Sequence, residues 1–248
     1  MRFIHQLVAC LAMFFLALSF SANAQFIDGD DYMRIDAGIS RDTSTIEVVE
    51  FFAYACPYCA RVEMPLQVWQ DEMMPENVTF TRVAIPRKGR WNTYAKAYYA
   101  LQAIDPELEK KLAPEIMKTV VYQKQDLDND TAFINWAVKQ GVDRKKLTEL
   151  MASKEIAQKV EDALKLSEQY GVPSVPALYV DGRYYVVHND TYYEKIPLML
   201  NTLIAQAWDE RKQPSLTVEN TSQQPQILQS TELDGGACRM DAGTNACE

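Results

Sequence analysis

Histidine is nearly absent from this chain, with two among 248 residues. His5 falls in an apolar leader, so a Cys–His hydrolase would have to rely on His188, and nothing in the sequence around it suggests a catalytic partner. His188 reads instead as a polar residue at a strand edge. Positive charge is scarce too: 25 Lys and Arg against 34 Asp and Glu leave a net charge of −9. So acidic a chain repels phosphate backbones and anionic lipid surfaces, which argues against nucleic-acid or peripheral membrane binding as its main task. Long hydrophobic runs are missing except for Leu7 to Phe20, which is too short and wrongly flanked for a membrane anchor. Arg2 precedes that run and Ala22-Asn23-Ala24 follows it, the layout of a secretory signal peptide cleaved after Ala24. Leu7-Val8-Ala9-Cys10 imitates a lipoprotein cleavage box, but cutting there would leave only a stub of apolar sequence before the cysteine.

Cysteine is sparse as well, five in all. Cys10 leaves with the leader, and Cys56, Cys59, Cys238 and Cys247 remain, an even number in an exported chain. A protein of this size does not need disulfides to hold its core together, so the close pair reads as chemical rather than structural.

Residues 25–44 are acidic and irregular and read as an exposed lead-in. Thr45 to Ala53 is rich in β-branched and aromatic residues and predicts a buried strand running straight into Cys56. Arg61 to Met74 predicts a helix interrupted at Pro65, and Val78 to Ile85 a second strand. Across 91–170 apolar residues recur at spacings of three and four, broken at Asp105-Pro106, Asp128 to Thr131 and Gly141, predicting four or five helices. Gly171-Val172-Pro173-Ser174-Val175-Pro176 ends them. Two short strands then flank Asp181-Gly182, a strong hairpin-turn signal, before a last helix over 192–209. Residues 211–248 read as a polar, flexible tail. The layout is α/β: a small sheet domain over 45–90 and 171–210, with a helical domain over 91–170 inserted into it.

The chemistry concentrates in Cys56-Pro57-Tyr58-Cys59. At a strand-to-helix boundary Pro57 suits the first helical position, and Cys56 becomes the N-cap. The free N–H groups of the first turn and the positive end of the helix dipole then favour a thiolate, the reactive form. Cys59 lies one turn deeper on the same face, placed to resolve a mixed disulfide at Cys56. The same spacing could be half of a zinc site, but Cys238 and Cys247 sit nine apart in a polar tail and complete it poorly. No metal or organic cofactor is expected; the working group is the Cys56–Cys59 disulfide.

Glu47-Val48-Val49-Glu50-Phe51-Phe52 leading into this motif, and Gly171 to Ala177 leading into a hairpin, resemble the DsbA family of periplasmic disulfide-introducing proteins. The resemblance extends over most of Tyr32 to Asp209 and includes the length of the helical insertion. It implies a thioredoxin fold with an inserted helical domain. It further implies a cis Val175–Pro176 peptide bond against the sulfurs, with Val175 offering its backbone to an extended substrate. Glu50, Glu63 and Arg82 match residues that modulate the family's active site. From the residues alone, Glu50 could equally be a strand-edge charge facing water. Implied partners are reduced or unfolded exported proteins, together with a DsbB-type membrane quinone reductase for recharging, and the expected state is a monomer.

Two departures stand out. Where the family usually has histidine this chain has Tyr58, which brings no positive charge beside Cys56. Cys238 and Cys247 enclose a polar loop, 239–246, that reads as closed by a local disulfide, with a second redox pair or a lure for the main site as the alternative. A reductase or isomerase using the same dithiol, or a chaperone-like binding module in which the motif is only a staple, also remain open at this point.

Overall fold

The computed structural model describes residues 26–37, 44–86, 90–188, 192–212 and 238–239. The expected signal peptide with its cleavage site, and Cys247, lie outside the described residues.

The central strand is β2 (Ile46–Phe52), whose IEVVEFF sequence is buried along nearly its whole length. It pairs in parallel with β3 (Val78–Ala84) on one side and antiparallel with β5 (Ala177–Val180) on the other. With β6 (Tyr184–Val186) and β1 (Tyr32–Arg34), the sheet order is β1-β6-β5-β2-β3. Asp181 and Gly182, at φ of +57° and +58°, join β5 to β6. Both turn residues must be left-handed in the hairpin turn that matches strand twist, which is what an Asp-Gly pair tolerates.

Helix α1 (Pro57–Val68) links β2 to β3 and runs on through Pro65 into a π-helical turn, Trp69–Met73. Five helices form the inserted block: α2 (Arg90–Ile104), α3 (Pro106–Met117), α4 (Asp130–Lys139), α5 (Arg144–Met151) and α6 (Lys154–Gln169). Asp105, Asn129, Asp143 and Ser153 cap α3 to α6 through their side chains. The last helix is α7 (Tyr192–Lys212), whose end is tied down where Arg211 Nη1 donates to the Thr45 carbonyl at 2.9 Å.

The sheet separates two apolar cores. Ile46, Val48, Leu178 and Val180 pack with α1 and α7, while Val49, Phe51 and Tyr179 pack towards the helical block. Alternation along β2 therefore carries Glu50 to the side of Ile46 and Val48, beneath α1.

Two segments depart from expectation. The lead-in is not irregular throughout: β1 closes the sheet edge, and Tyr32 is buried with its ring edge-on to Tyr184 at 5.6 Å. The tail is not wholly without secondary structure either. Cys238–Arg239 forms a short strand, β7, paired antiparallel with β4 (Ser174–Val175).

Candidate active site

Cys56 occupies the position its neighbours dictate. The chain leaves β2, and Cys56 takes an extended conformation (φ −86°, ψ 121°) as N-cap of α1, with Pro57 opening the helix. The Cys59 amide donates to Cys56 Sγ at 3.5 Å, and the Cys56 thiol donates to the Val175 carbonyl at 3.4 Å. The Val175–Pro176 bond is cis. Both sulfurs are buried among apolar residues, and no disulfide joins them. Burial, followed by the hydrogen bond and charge of Cys56, pushes the Cys59 thiol well above its ordinary pKa. Cys59 thus holds its proton tightly.

Behind the sulfurs lies a buried charge cluster. Strand register puts Glu50 opposite Arg82, whose Nε donates to Glu50 Oε2 at 2.7 Å. From α1, Glu63 accepts from Arg82 Nη2 at 2.6 Å, so the three residues matched by resemblance are brought together. The guanidinium also lies 4.1 Å from the centre of the Phe52 ring. A third carboxylate arrives from the inserted domain, which sequence reasoning did not identify. Glu109 Oε1 sits 3.9 Å from Arg82 Nη1, accepts from Tyr54 at 2.5 Å, and its other oxygen accepts from Gln102 at 3.0 Å.

One guanidinium cannot neutralise three buried carboxylates. Desolvation raises the Glu50 pKa to about 7, with Arg82 opposing and Glu63 adding to the rise. Glu109 is likewise raised by burial, again against the pull of Arg82. Glu50 Oε1 is buried with no hydrogen-bond partner among the described residues, as suits a carboxyl oxygen that takes up a proton. Its charge also bears on Cys59. A cavity of about 660 Å³ between α1, β3 and the helical block is lined by Glu63, Arg82 and Glu109 but not by the cysteines.

Tyr58 is half-buried against the core. Positive charge near the site comes instead from Arg61, whose guanidinium stacks 3.9 Å from the ring centre of Tyr193. Tyr193, at the start of α7, feels both cysteines electrostatically. Neither residue carried a sequence signal, since they meet only through the packing of α7 on α1. His188 lies just past β6, half-buried.

A family model described as Thioredoxin matches residues 40–202. The thiol:disulfide interchange protein DsbA of Bordetella pertussis is 32% identical over 167 residues, covering 66% of this chain and 78% of that protein. DsbA of Burkholderia cepacia is 28% identical over 188 residues, 74% of this chain and 86% of that one. Among solved structures, the oxidoreductase NmDsbA3 of Neisseria meningitidis superposes with a TM-score of 0.63 at 28% identity, covering 76% of this chain and 100% of its own. Pseudomonas aeruginosa DsbA gives a TM-score of 0.65 at 25% identity, covering 76% and 97%.

Proposed function

The chain belongs to the DsbA family of thiol:disulfide interchange proteins, and we propose that Cys56 and Cys59 carry its thiol-disulfide exchange in the periplasm. It is a protein thiol-disulfide oxidoreductase on the thioredoxin fold, oxidising substrate proteins. Its substrates are reduced or unfolded exported proteins, and a DsbB-type membrane quinone reductase recharges it as a monomer after export and cleavage at Ala24. The observation that carries the site assignment is one sulfur at a helix N-cap against the Val175 carbonyl, with the second buried one turn deeper.

In the working direction a substrate thiolate attacks Cys56 Sγ. The Cys56–Cys59 bond breaks and Cys59 leaves with its electron pair. A second substrate thiolate then attacks the substrate sulfur of the mixed disulfide, forms the substrate's disulfide and releases Cys56 as thiolate. The Cys59 amide donates to that sulfur, and a reduced form stabilised in this way is the logic by which DsbA proteins are strong oxidants. The reduction potential of Cys56–Cys59 is therefore expected above thioredoxin's value of about −270 mV. Equilibration against glutathione buffers measures it; a potential at or below that value would reverse the direction and favour a reductase.

Cys59 departs into an apolar pocket that favours its thiol, so it needs a proton. Glu50, whose charge bears on Cys59, is the modulator that gives it in this reading. Glu50→Gln is expected to slow transfer roughly 10²-fold and to remove the inflection near pH 7 from the rate profile. The same variant reports on stability. With its folded pKa raised from 4.5 to about 7, Glu50 contributes stability fully present below pH 4.5 and lost as pH rises through 7. Between pH 5 and pH 8 the reduced variant should therefore gain ~1–3 kcal/mol on wild type in urea unfolding. An unchanged difference across that range would mean that Glu50 does not titrate there.

A further inference from the structure

Strand β7 lies where a substrate would be expected. β4 is a two-residue strand, Ser174–Val175, immediately ahead of the cis Pro176. Its backbone pairs antiparallel with the chain's own C-terminal segment: Ser174 stands opposite Arg239 and Val175 opposite Cys238. The residue facing Cys238 in register is thus the one whose carbonyl lies 3.4 Å from Cys56 Sγ. Strand addition beside a recognition loop is how an extended peptide is bound through its main chain. Here a cysteine-bearing segment of the same molecule uses that edge, with a second cysteine, Cys247, nine residues further on.

We propose that the Cys238 segment is a built-in substrate of this site: β7 occupies the Val175 edge, and the Cys238/Cys247 pair exchanges its disulfide with Cys56–Cys59. This deepens the functional reading, because it presupposes that the Val175 edge is where substrate chains pair. The exchange needs no outside reagent. The Cys238 thiolate attacks Cys56 Sγ, forming Cys56–Cys238 and breaking Cys56–Cys59, whose Cys59 sulfur leaves and is protonated. The Cys247 thiolate then attacks Cys238 Sγ, forming Cys238–Cys247 and releasing Cys56 as thiolate. Two electrons pass from the tail dithiol to the active-site disulfide, and the reverse sequence returns them. The local tail disulfide expected from sequence is one of the two end states. Being covalently attached, the segment competes with free substrate at an effective concentration on the order of millimolar. It therefore restrains access to Cys56 until a substrate displaces it.

The test uses the mature full-length chain carrying Cys59→Ser and Cys247→Ser, which leaves Cys56 and Cys238 without resolving partners. Mild oxidation with glutathione disulfide, followed by proteolysis and mass spectrometry, is expected to find a Cys56–Cys238 link. Its rate of formation should not change over a tenfold range of protein concentration. Cys56 left unlinked to Cys238, or linked only between molecules, overturns the proposal. A second variant, Cys238→Ser with Cys247→Ser, keeps the active-site pair and is assayed on reduced ribonuclease. If it oxidises ribonuclease while the first variant forms no internal link, the tail proposal alone fails. If it does not oxidise ribonuclease, the reading of Cys56–Cys59 fails, and the tail proposal with it.

Discussion

Replacing Cys56 by serine is expected to leave reduced ribonuclease regaining its disulfides no faster than in buffer alone, a complete loss of catalysis. Serine fits the N-cap as well as cysteine does, so the fold should survive and circular dichroism should be unchanged. What disappears is the sulfur that every exchange step passes through. Cys59→Ser should behave differently. Such a protein cannot form the Cys56–Cys59 disulfide, and a chain joined to Cys56 is no longer expelled by Cys59 in the reverse direction. A substrate with a single cysteine should therefore stay linked to Cys56 and be visible on non-reducing gels. The contrast between the two variants separates attack from resolution. Two equally inactive proteins with no trapped species would mean that the motif is only a staple. Full activity in Cys56→Ser would remove the catalytic assignment altogether.

How much of this site could be read beforehand depends on how local its determinants are. Cys56, Pro57 and Cys59 were legible because strand, cap and helix are consecutive, and helix-start chemistry needs only those few residues. Asp181-Gly182 was legible for the same reason: both left-handed φ values belong to the dipeptide itself. Glu50 was ambiguous. A carboxylate in a strand faces water on an edge and is buried in the middle, and β2 is central only because β3 and β5 pair on either side of it. Glu109 leaves only a faint trace in the sequence. It lies on the same helical stripe as Leu112, Ala113 and Ile116, the buried face of α3. Its partners Tyr54 and Arg82 are far away in sequence, so nothing nearby said why an acid should stand there. Two of the strands not foreseen, β1 and β7, share a cause. β1 has three residues and β7 two, and each becomes a strand only because another segment offers a free edge.

Arg82 should prove the most costly residue to remove from the buried cluster. Among the described residues its guanidinium alone is paired with these three carboxylates, with contacts of 2.7 Å to Glu50, 2.6 Å to Glu63 and 3.9 Å to Glu109. Those acids come from β2, α1 and the inserted helical domain, so Arg82 joins the two parts of the molecule at the floor of the active site. Arg82→Met keeps an aliphatic stem and takes away the charge, its donors and the guanidinium that lies on Phe52. An uncompensated buried charge cluster typically costs about 3–5 kcal/mol. The loss should also depend on pH. With Arg82 gone, nothing opposes desolvation, and Glu50 and Glu109 bind protons still more tightly than they do beside it. At pH 5 protonation relieves most of the repulsion and the variant is only moderately weakened. At pH 8 the folded state must either ionise buried acids or hold protons against the solution, and the penalty is largest. Urea unfolding of the reduced protein at both values checks this: the gap between wild type and variant should widen with rising pH. A gap that is constant or that narrows would mean that the carboxylates are not balanced by Arg82, and that the cluster is held by packing.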